Sequence, residues 1–210
     1  MIRVIIADDH ELIRSGFSRL VAAEPDIALV GEARSAGELI QILRETTADI
    51  LLLDINMPDR NGLDVLKDLR LSHPALKVLM LSMHPESRYA KRAMTDGAAG
   101  YLSKDSAADD LIAAIRQIHT HGRYISPALA QELAANLQKP SGQLPHSTLS
   151  DREYQLLILI GQGSSIRDAS RQLGVTVNTA HTYRRRLLEK MGLQTDTDLV
   201  RYALSNQLVE

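Results

Sequence analysis

Two domains are expected. The first is an α/β domain with a doubly wound, five-stranded parallel sheet, and the second is an all-α domain built on a helix-turn-helix. Three observations carry this reading. Up to about residue 120, short apolar runs alternate with helix-length segments whose apolar residues recur three or four apart. Residues 139–147, Lys-Pro-Ser-Gly-Gln-Leu-Pro-His-Ser, carry two prolines and a glycine and read as a linker. From Thr148 onward only helical periodicity remains, punctuated by Gly161, Gly163, Gly174 and Gly192. The expected limits are 1–122 for the α/β domain, 123–147 for a linker with a short helix, and 148–210 for the helical domain.

The elements follow in order. Strand-like runs fall at Ile2–Asp8, Ile27–Glu32, Asp49–Asp54, Lys77–Ser82 and Ala99–Ser103. Between them lie helical stripes: Leu12, Ile13, Phe17 and Leu20; Leu39, Ile40 and Leu43; Leu63, Leu66 and Leu69; Leu111, Ile112, Ile115 and Ile118. Alternation of this kind implies parallel strands joined by right-handed crossovers. The central runs are almost continuously apolar, as in a sheet covered on both faces. Pro127 opens a short helix-like piece, Ala128–Leu137, before the linker. In the last third, a short helix at about Ile166–Leu173 ends at Gly174, and a longer one runs to about Met191.

Composition narrows the function classes. With 44% hydrophobic and 24% charged residues, the 210-residue chain has the make-up of a soluble globular protein. Its apolar runs, such as Asp49–Asp54, are too short to span a bilayer, and Asp8 and Asp9 interrupt any leader-like segment, so no membrane partner is expected. The absence of cysteine excludes disulfides and thiolate metal sites. The cytoplasm is the expected compartment. Residues 1–125 carry 15 Lys and Arg against 18 Asp and Glu, and residues 147–210 carry 8 against 7. The helical domain is thus not basic as a whole; its positive charge gathers at Arg184, Arg185, Arg186 and Lys190.

In an open α/β sheet, sites form beyond the C-terminal strand ends, at the topological switch. Here those ends deliver Asp8 and Asp9, Asp54, Ser82 and Lys104. Taken singly, each has an ordinary reading as a helix cap, a turn former or a solvated lysine, and His10 reads as a helix-start residue. Taken together, three neighbouring carboxylates need a compensating cation, and a hard ion such as Mg²⁺ suits them. With an ammonium and a hydroxyl beside them, they form a set for in-line attack by a carboxylate on phosphorus.

Residues 1–120 resemble the receiver domain of two-component response regulators, a flavodoxin-like fold. The matching elements are Ile-Ala-Asp8-Asp9-His10, Leu-Leu-Asp54-Ile-Asn-Met-Pro58, Gly62, Leu81-Ser82 and Gly97-Ala-Ala-Gly-Tyr101-Leu-Ser-Lys104. The resemblance implies that Asp54 is the phosphoacceptor. It implies that Asp9 ligates Mg²⁺ directly, that Asp8 ligates it or bridges through water, and that the backbone carbonyl of Asn56 is a further ligand. Ser82 and Tyr101 are then the switch pair, and Lys104 pairs with the phosphoryl group. Serine at position 82, where threonine is frequent, keeps the hydroxyl.

On the long helix of the last third, Ala180, Tyr183, Leu187 and Met191 share one face, which is expected to pack on the domain core. The opposite face presents Asn178, His181, Thr182 and Arg185 and can lie in a major groove of double-stranded DNA. At about 100° per residue, Arg185 lies about 40° from His181 and about 60° from Thr182. Arg184, Arg186 and Lys190 flank that face, within reach of phosphates.

Leu149-Ser-Asp-Arg-Glu153, Gly163-Ser-Ser, Leu173-Gly-Val-Thr and Lys190-Met-Gly-Leu resemble the four-helix LuxR-type domain over about Thr148–Leu204. His181, Thr182 and Arg185 match the positions that contact bases in that family. The match departs from the common pattern at Ile166, Ala169, Ala180 and Tyr183. A receiver followed by a LuxR-type domain is the arrangement of the NarL/FixJ response regulators. The resemblance implies a phosphorylation-controlled transcription regulator, fed by a sensor histidine kinase or a small phosphodonor and forming a homodimer when phosphorylated. No enzymatic activity is expected beyond the chain's own phosphoryl transfer. A phosphatase of the haloacid dehalogenase type would need an acidic residue two positions after Asp54, where Asn56 stands.

Overall fold

A computed structural model describes residues 1–83, 86–106, 108–127, 129–131, 144–206 and 208–209. The chain forms two compact units, Met1–Gln138 and Lys139–Glu210.

In the first unit, β1 (Ile2–Ala7), β2 (Ile27–Ala33), β3 (Ile50–Asp54), β4 (Lys77–Ser82) and β5 (Gly100–Ser103) make one parallel sheet in the order β2-β1-β3-β4-β5. The crossovers carry α1 (Glu11–Ala22), α2 (Ala36–Glu45), α3 (Gly62–Ser72) and α4 (Glu86–Asp96), and α5 (Ala108–His121) follows β5. The chain reverses its direction of winding between β1 and β3, which opens a crevice at their C-terminal ends. All of β3, and all of β1 except Arg3, is buried, as continuous apolar strands demand.

The stripes hold with two corrections. Leu12 is 86% exposed and Ile40 38% exposed. Ile13, Phe17 and Leu20 lie within about 60° of one another on a helix wheel, whereas Leu12 falls about 100° from Ile13. Spacing alone had placed it on the wrong face. α4 has no large aliphatic stripe because its buried side is Tyr89, Ala90 and Ala93. Beyond Gly122 the chain stays on the first unit: the Tyr124 amide donates to the Ala99 carbonyl at 2.8 Å and its ring joins the core. Of the expected linker helix Ala128–Leu137 and the linker after it, Ala128 and residues 132–143 lie outside the described residues.

The second unit opens with a 3₁₀ turn, Pro145–Thr148. It continues with α6 (Asp151–Gly161), α7 (Ile166–Gln172), α8 (Val177–Met191) and α9 (Asp196–Ser205). Each of these helices starts on a hydroxyl residue, Ser150, Ser165, Thr176 or Thr195, whose side chain accepts from the amide three positions on. Such a cap stabilises a helix by about 1 kcal/mol. Ser150 with Glu153, and Thr195 with Asp198, complete reciprocal capping boxes. α8 stops at Gly192, where φ is +65°. α6 and α9 approach closely, and a Cβ on Gly161 would lie 2.8 Å from the Ala203 Cβ and 3.1 Å from Val209.

Candidate functional site

Asp8 follows β1 and Asp54 ends β3, so the switch in winding sets two carboxylates side by side, both buried. Lys104, just past β5, reaches between them. Its ammonium lies 2.7 Å from Asp8 Oδ2 and 2.9 Å from Asp54 Oδ2, and its side chain is only 1% exposed. The Lys104 amide donates to the Ser82 carbonyl at 2.8 Å, which fixes its approach. Ser82 closes β4 and Tyr101 lies in β5, both fully buried. Burial holds the Asp54 carboxyl above its ordinary range and the charge of Asp8 adds to this, while Lys104 and a hydrogen bond from the Asn56 amide oppose it.

Asp8, Asp9, His10 and Asp54 each offer one ligand atom, and these atoms lie within 4.8 Å of one another. That donor set can hold a metal ion. His10 stands at the N-cap of α1 but makes no side-chain cap bond. Its ring turns instead to the carboxylates, with Nδ1 2.8 Å from Asp9 and 3.4 Å from Asp8. Its amide also donates to Asp8 Oδ1 at 2.9 Å.

The backbone around this pocket is tightly held. Arg14 of α1 donates to the Asp8 carbonyl at 2.8 Å. The β3–α3 loop folds back so that Asn56 and Asn61 form an antiparallel bridge and the Gly62 amide donates to the Ile55 carbonyl at 2.8 Å. Buried Asn61 caps α3 through a bond from the Leu63 amide at 2.8 Å. Asp59 accepts from the amides of Ala36 and Gly37, both at 2.9 Å. Sequence reasoning did not find Arg14, Asp59 or Asn61. Asn61 directly before Gly62 is a capping signal that was open to reading; the other two depend on contacts between distant segments.

In the second unit, α7, the turn through Gly174 and α8 form the helix-turn-helix. Ala180, Leu187 and Met191 are buried as expected, with Leu188 beside them, and Tyr183 is half-buried. Asn178, His181, Arg185 and Arg186 are exposed. Thr182 is half-buried, and its hydroxyl donates to the Asn178 carbonyl at 3.0 Å. Two of the expected phosphate contacts have partners inside the unit. Arg184 Nε donates to Asp196 at 2.7 Å, and Lys190 Nζ donates to buried Glu153 at 2.7 Å. Burial pushes the Glu153 carboxyl up, but bonds from Lys190 and from the Ser150 amide more than offset this and hold it below the usual range.

Comparison with known proteins places both units. Residues 4–116 match the response regulator receiver domain, and residues 147–203 match the bacterial regulatory proteins of the luxR family. Response regulator GacA of Pseudomonas aeruginosa is 34% identical over 211 residues, spanning 100% of this chain and 99% of its own. Response regulator UvrY of Escherichia coli is 34% identical over 209 residues, spanning 99% of this chain and 96% of its own. RcsB from Salmonella enterica serovar Typhimurium, in a structure bound to promoter P1flhDC with the phosphomimetic BeF3-, shares the fold. Its TM-score is 0.66 at 24% identity, over 97% of this chain and 98% of that one. No helix among the described residues is long and apolar enough to cross a membrane. The chain belongs to the NarL/FixJ family of response regulators, a receiver domain joined to a LuxR-type DNA-binding domain.

Proposed function

We propose that Asp54 accepts a phosphoryl group and that this modification controls how the LuxR-type domain binds operator DNA. The observation that carries the reading is the buried triad in which Lys104 bridges Asp8 and Asp54 at 2.7 and 2.9 Å. An Asp54 oxygen forms a bond to phosphorus while the bond from phosphorus to the donor breaks, and the donor leaves with the electron pair. The donor is a histidine imidazole of a sensor kinase or a small acyl phosphate. Attack requires the ionised carboxylate, which Lys104 favours against burial. Lys104 then pairs with a phosphoryl oxygen, Ser82 donates its hydroxyl, and Tyr101 follows Ser82.

The donor set fits Mg²⁺: the carboxylates are oxygen ligands, and they are gathered within 4.8 Å with one ammonium against them. Asp9 and Asp54, the Asn56 carbonyl, and Asp8 directly or through water would hold it. When bound, the ion neutralises charge on the transferring oxygens. His10, beside Asp9 and Asp8, borders that site.

In the DNA-binding domain, Asn178, His181, Thr182 and Arg185 read the major groove. Arg186 contacts phosphate, and Arg184 and Lys190 do so on leaving Asp196 and Glu153. Residues 1–122 serve as the receiver and 148–210 as the DNA-binding domain; the segment 123–147 links them, its first residues, with Tyr124, packing on the receiver core. The phosphorylated protein acts in the cytoplasm as a homodimer, and its only catalysis is its own phosphoryl transfer. RcsB, whose fold this chain shares, was solved on promoter P1flhDC in the presence of BeF3-, which is in keeping with DNA as the partner.

The test is to incubate the intact protein with acetyl phosphate and Mg²⁺ and locate the label by peptide mass spectrometry. A single phosphoryl group on Asp54, absent from Asp54→Asn, is expected. Equal labelling of that variant overturns the reading.

A further inference from the structure

We propose that Asp59 is a positioning residue for the phosphoryl-transfer pocket: by capping α2 it anchors the loop that presents Asn56 to Asp54. The inference rests on the phosphorylation reading above and adds a residue to it. Asp59 stands near the middle of the loop between β3 and α3. Its two oxygens accept from the first two amides of α2, Ala36 and Gly37, 23 and 22 residues away in sequence. Those amides have no partner within the helix. A carboxylate there also complements the positive end of the helix dipole. Burial raises the Asp59 carboxyl, but bonds from the Ala36 and Gly37 amides, followed by those from the Asp59 and Arg60 amides, more than offset this and hold it below its ordinary range.

α2 already has a local cap, because Ser35 Oγ accepts from the Glu38 amide at 3.1 Å. Asp59 therefore adds something that Ser35 does not, a bond between α2 and the loop beyond Asp54. The loop is held on its other sides as well. Its base is closed by the Asn56–Asn61 bridge and by the Gly62 bond to Ile55. Next to Asp59, Arg60 ties the loop to α3 through Asp68 at 2.6 Å. Without Asp59 the loop loses its tie to α2, and the Asn56–Asn61 bridge that carries Asn56 is held less firmly. The amide of Asn56 is a hydrogen-bond donor to Asp54, and in the phosphorylation reading its carbonyl, in the next peptide, is a metal ligand. Supporting groups of this kind, when removed, typically cost 10–100-fold in metal affinity.

The experiment compares Asp59→Ala with Ser35→Ala in the intact chain. Both remove a cap from α2, but only the first releases the loop. Amide exchange at Asn56, Ala36 and Gly37 is followed by NMR, and Mg²⁺ affinity by calorimetry. In Asp59→Ala, faster exchange at Asn56 and an affinity about tenfold lower are expected. In Ser35→Ala, both are expected to stay within about twofold of the unaltered protein, because the loop is untouched. Asp59→Asn, which keeps one acceptor and should fold where the alanine variant does not, is expected to fall between. Unchanged exchange at Asn56 in Asp59→Ala, or an equal effect of Ser35→Ala, overturns the proposal. Failure of the unaltered chain to bind Mg²⁺ would instead overturn the phosphorylation reading, and the Asn56 exchange rates would still decide whether Asp59 anchors the loop.

Discussion

A Cβ on Gly62 would stand 2.0 Å from the main-chain oxygen of Asp54 and 2.9 Å from its carbonyl carbon. The start of α3 is thus pressed against the peptide that bears the candidate phosphoacceptor, and only glycine allows it. Gly62→Ala must push that peptide aside. We expect a loss of about 1–3 kcal/mol in stability, the usual cost of overpacking, together with slower labelling by acetyl phosphate. Urea unfolding and the labelling rate check this, and an alanine variant matching the native protein in both would refute it.

Lys104 holds two buried carboxylates whose charges otherwise repel. Lys104→Met keeps the bulk of the side chain and removes the charge. Breaking a buried pair in this way costs about 3–5 kcal/mol. We expect the variant to unfold at lower urea in metal-free buffer and to regain part of the loss when Mg²⁺ is added. No effect of the ion on its unfolding midpoint would count against a shared site.

Glu153 has its carboxyl below the ordinary value because Lys190 and Ser150 favour its ionised form against burial. A depressed folded value means that the stabilisation is present above the unfolded value, near 4.5, and is lost as pH falls through the folded value. Glu153→Gln should therefore weaken the helical unit at neutral pH and make its acid unfolding shallower below about pH 4.5. Amide exchange along α6 in the intact chain, followed from neutral to acid pH, reports this. Parallel pH curves for the two proteins would contradict it.

Arg184 is held by Asp196. Asp196→Asn frees the guanidinium for a phosphate, so operator affinity should rise at low salt and the salt slope should steepen by about one contact. Arg185→Ala should instead relax preference at one position in each half-site, a discrimination of about 1–3 kcal/mol. Selection from a randomised half-site library at two salt concentrations separates the two effects. A uniform loss in Arg185→Ala would mean that α8 docks at another rotation.

Phosphorylation is expected to favour a homodimer. Light scattering with and without beryllofluoride should show the mass double when the mimic is added. A monomer in both states, with DNA affinity still raised, would leave release of the DNA-binding face as the means of control.

The sheet was legible because β3 and, but for Arg3, β1 are apolar runs, with Asp8, Asp9 and Asp54 at their ends. The core face of α8 was legible from the spacing of Ala180, Leu187 and Met191. Leu12 was misread because spacing was counted without angle. α4 hid behind small residues, since Ala90 and Ala93 leave no aliphatic stripe. The partners of Arg184, Lys190, Asp59 and Arg14 could not be read at all. Each pairing joins elements that meet only after folding, and no periodicity marks such a meeting.

Val209 touches the face of Gly161, and Leu208 is buried beside it in sequence, so the tail of the chain is part of the DNA-binding unit's interior. A charge placed at Val209 would therefore be driven into the seam between α6 and α9, and would disturb through α6 the footing of α8.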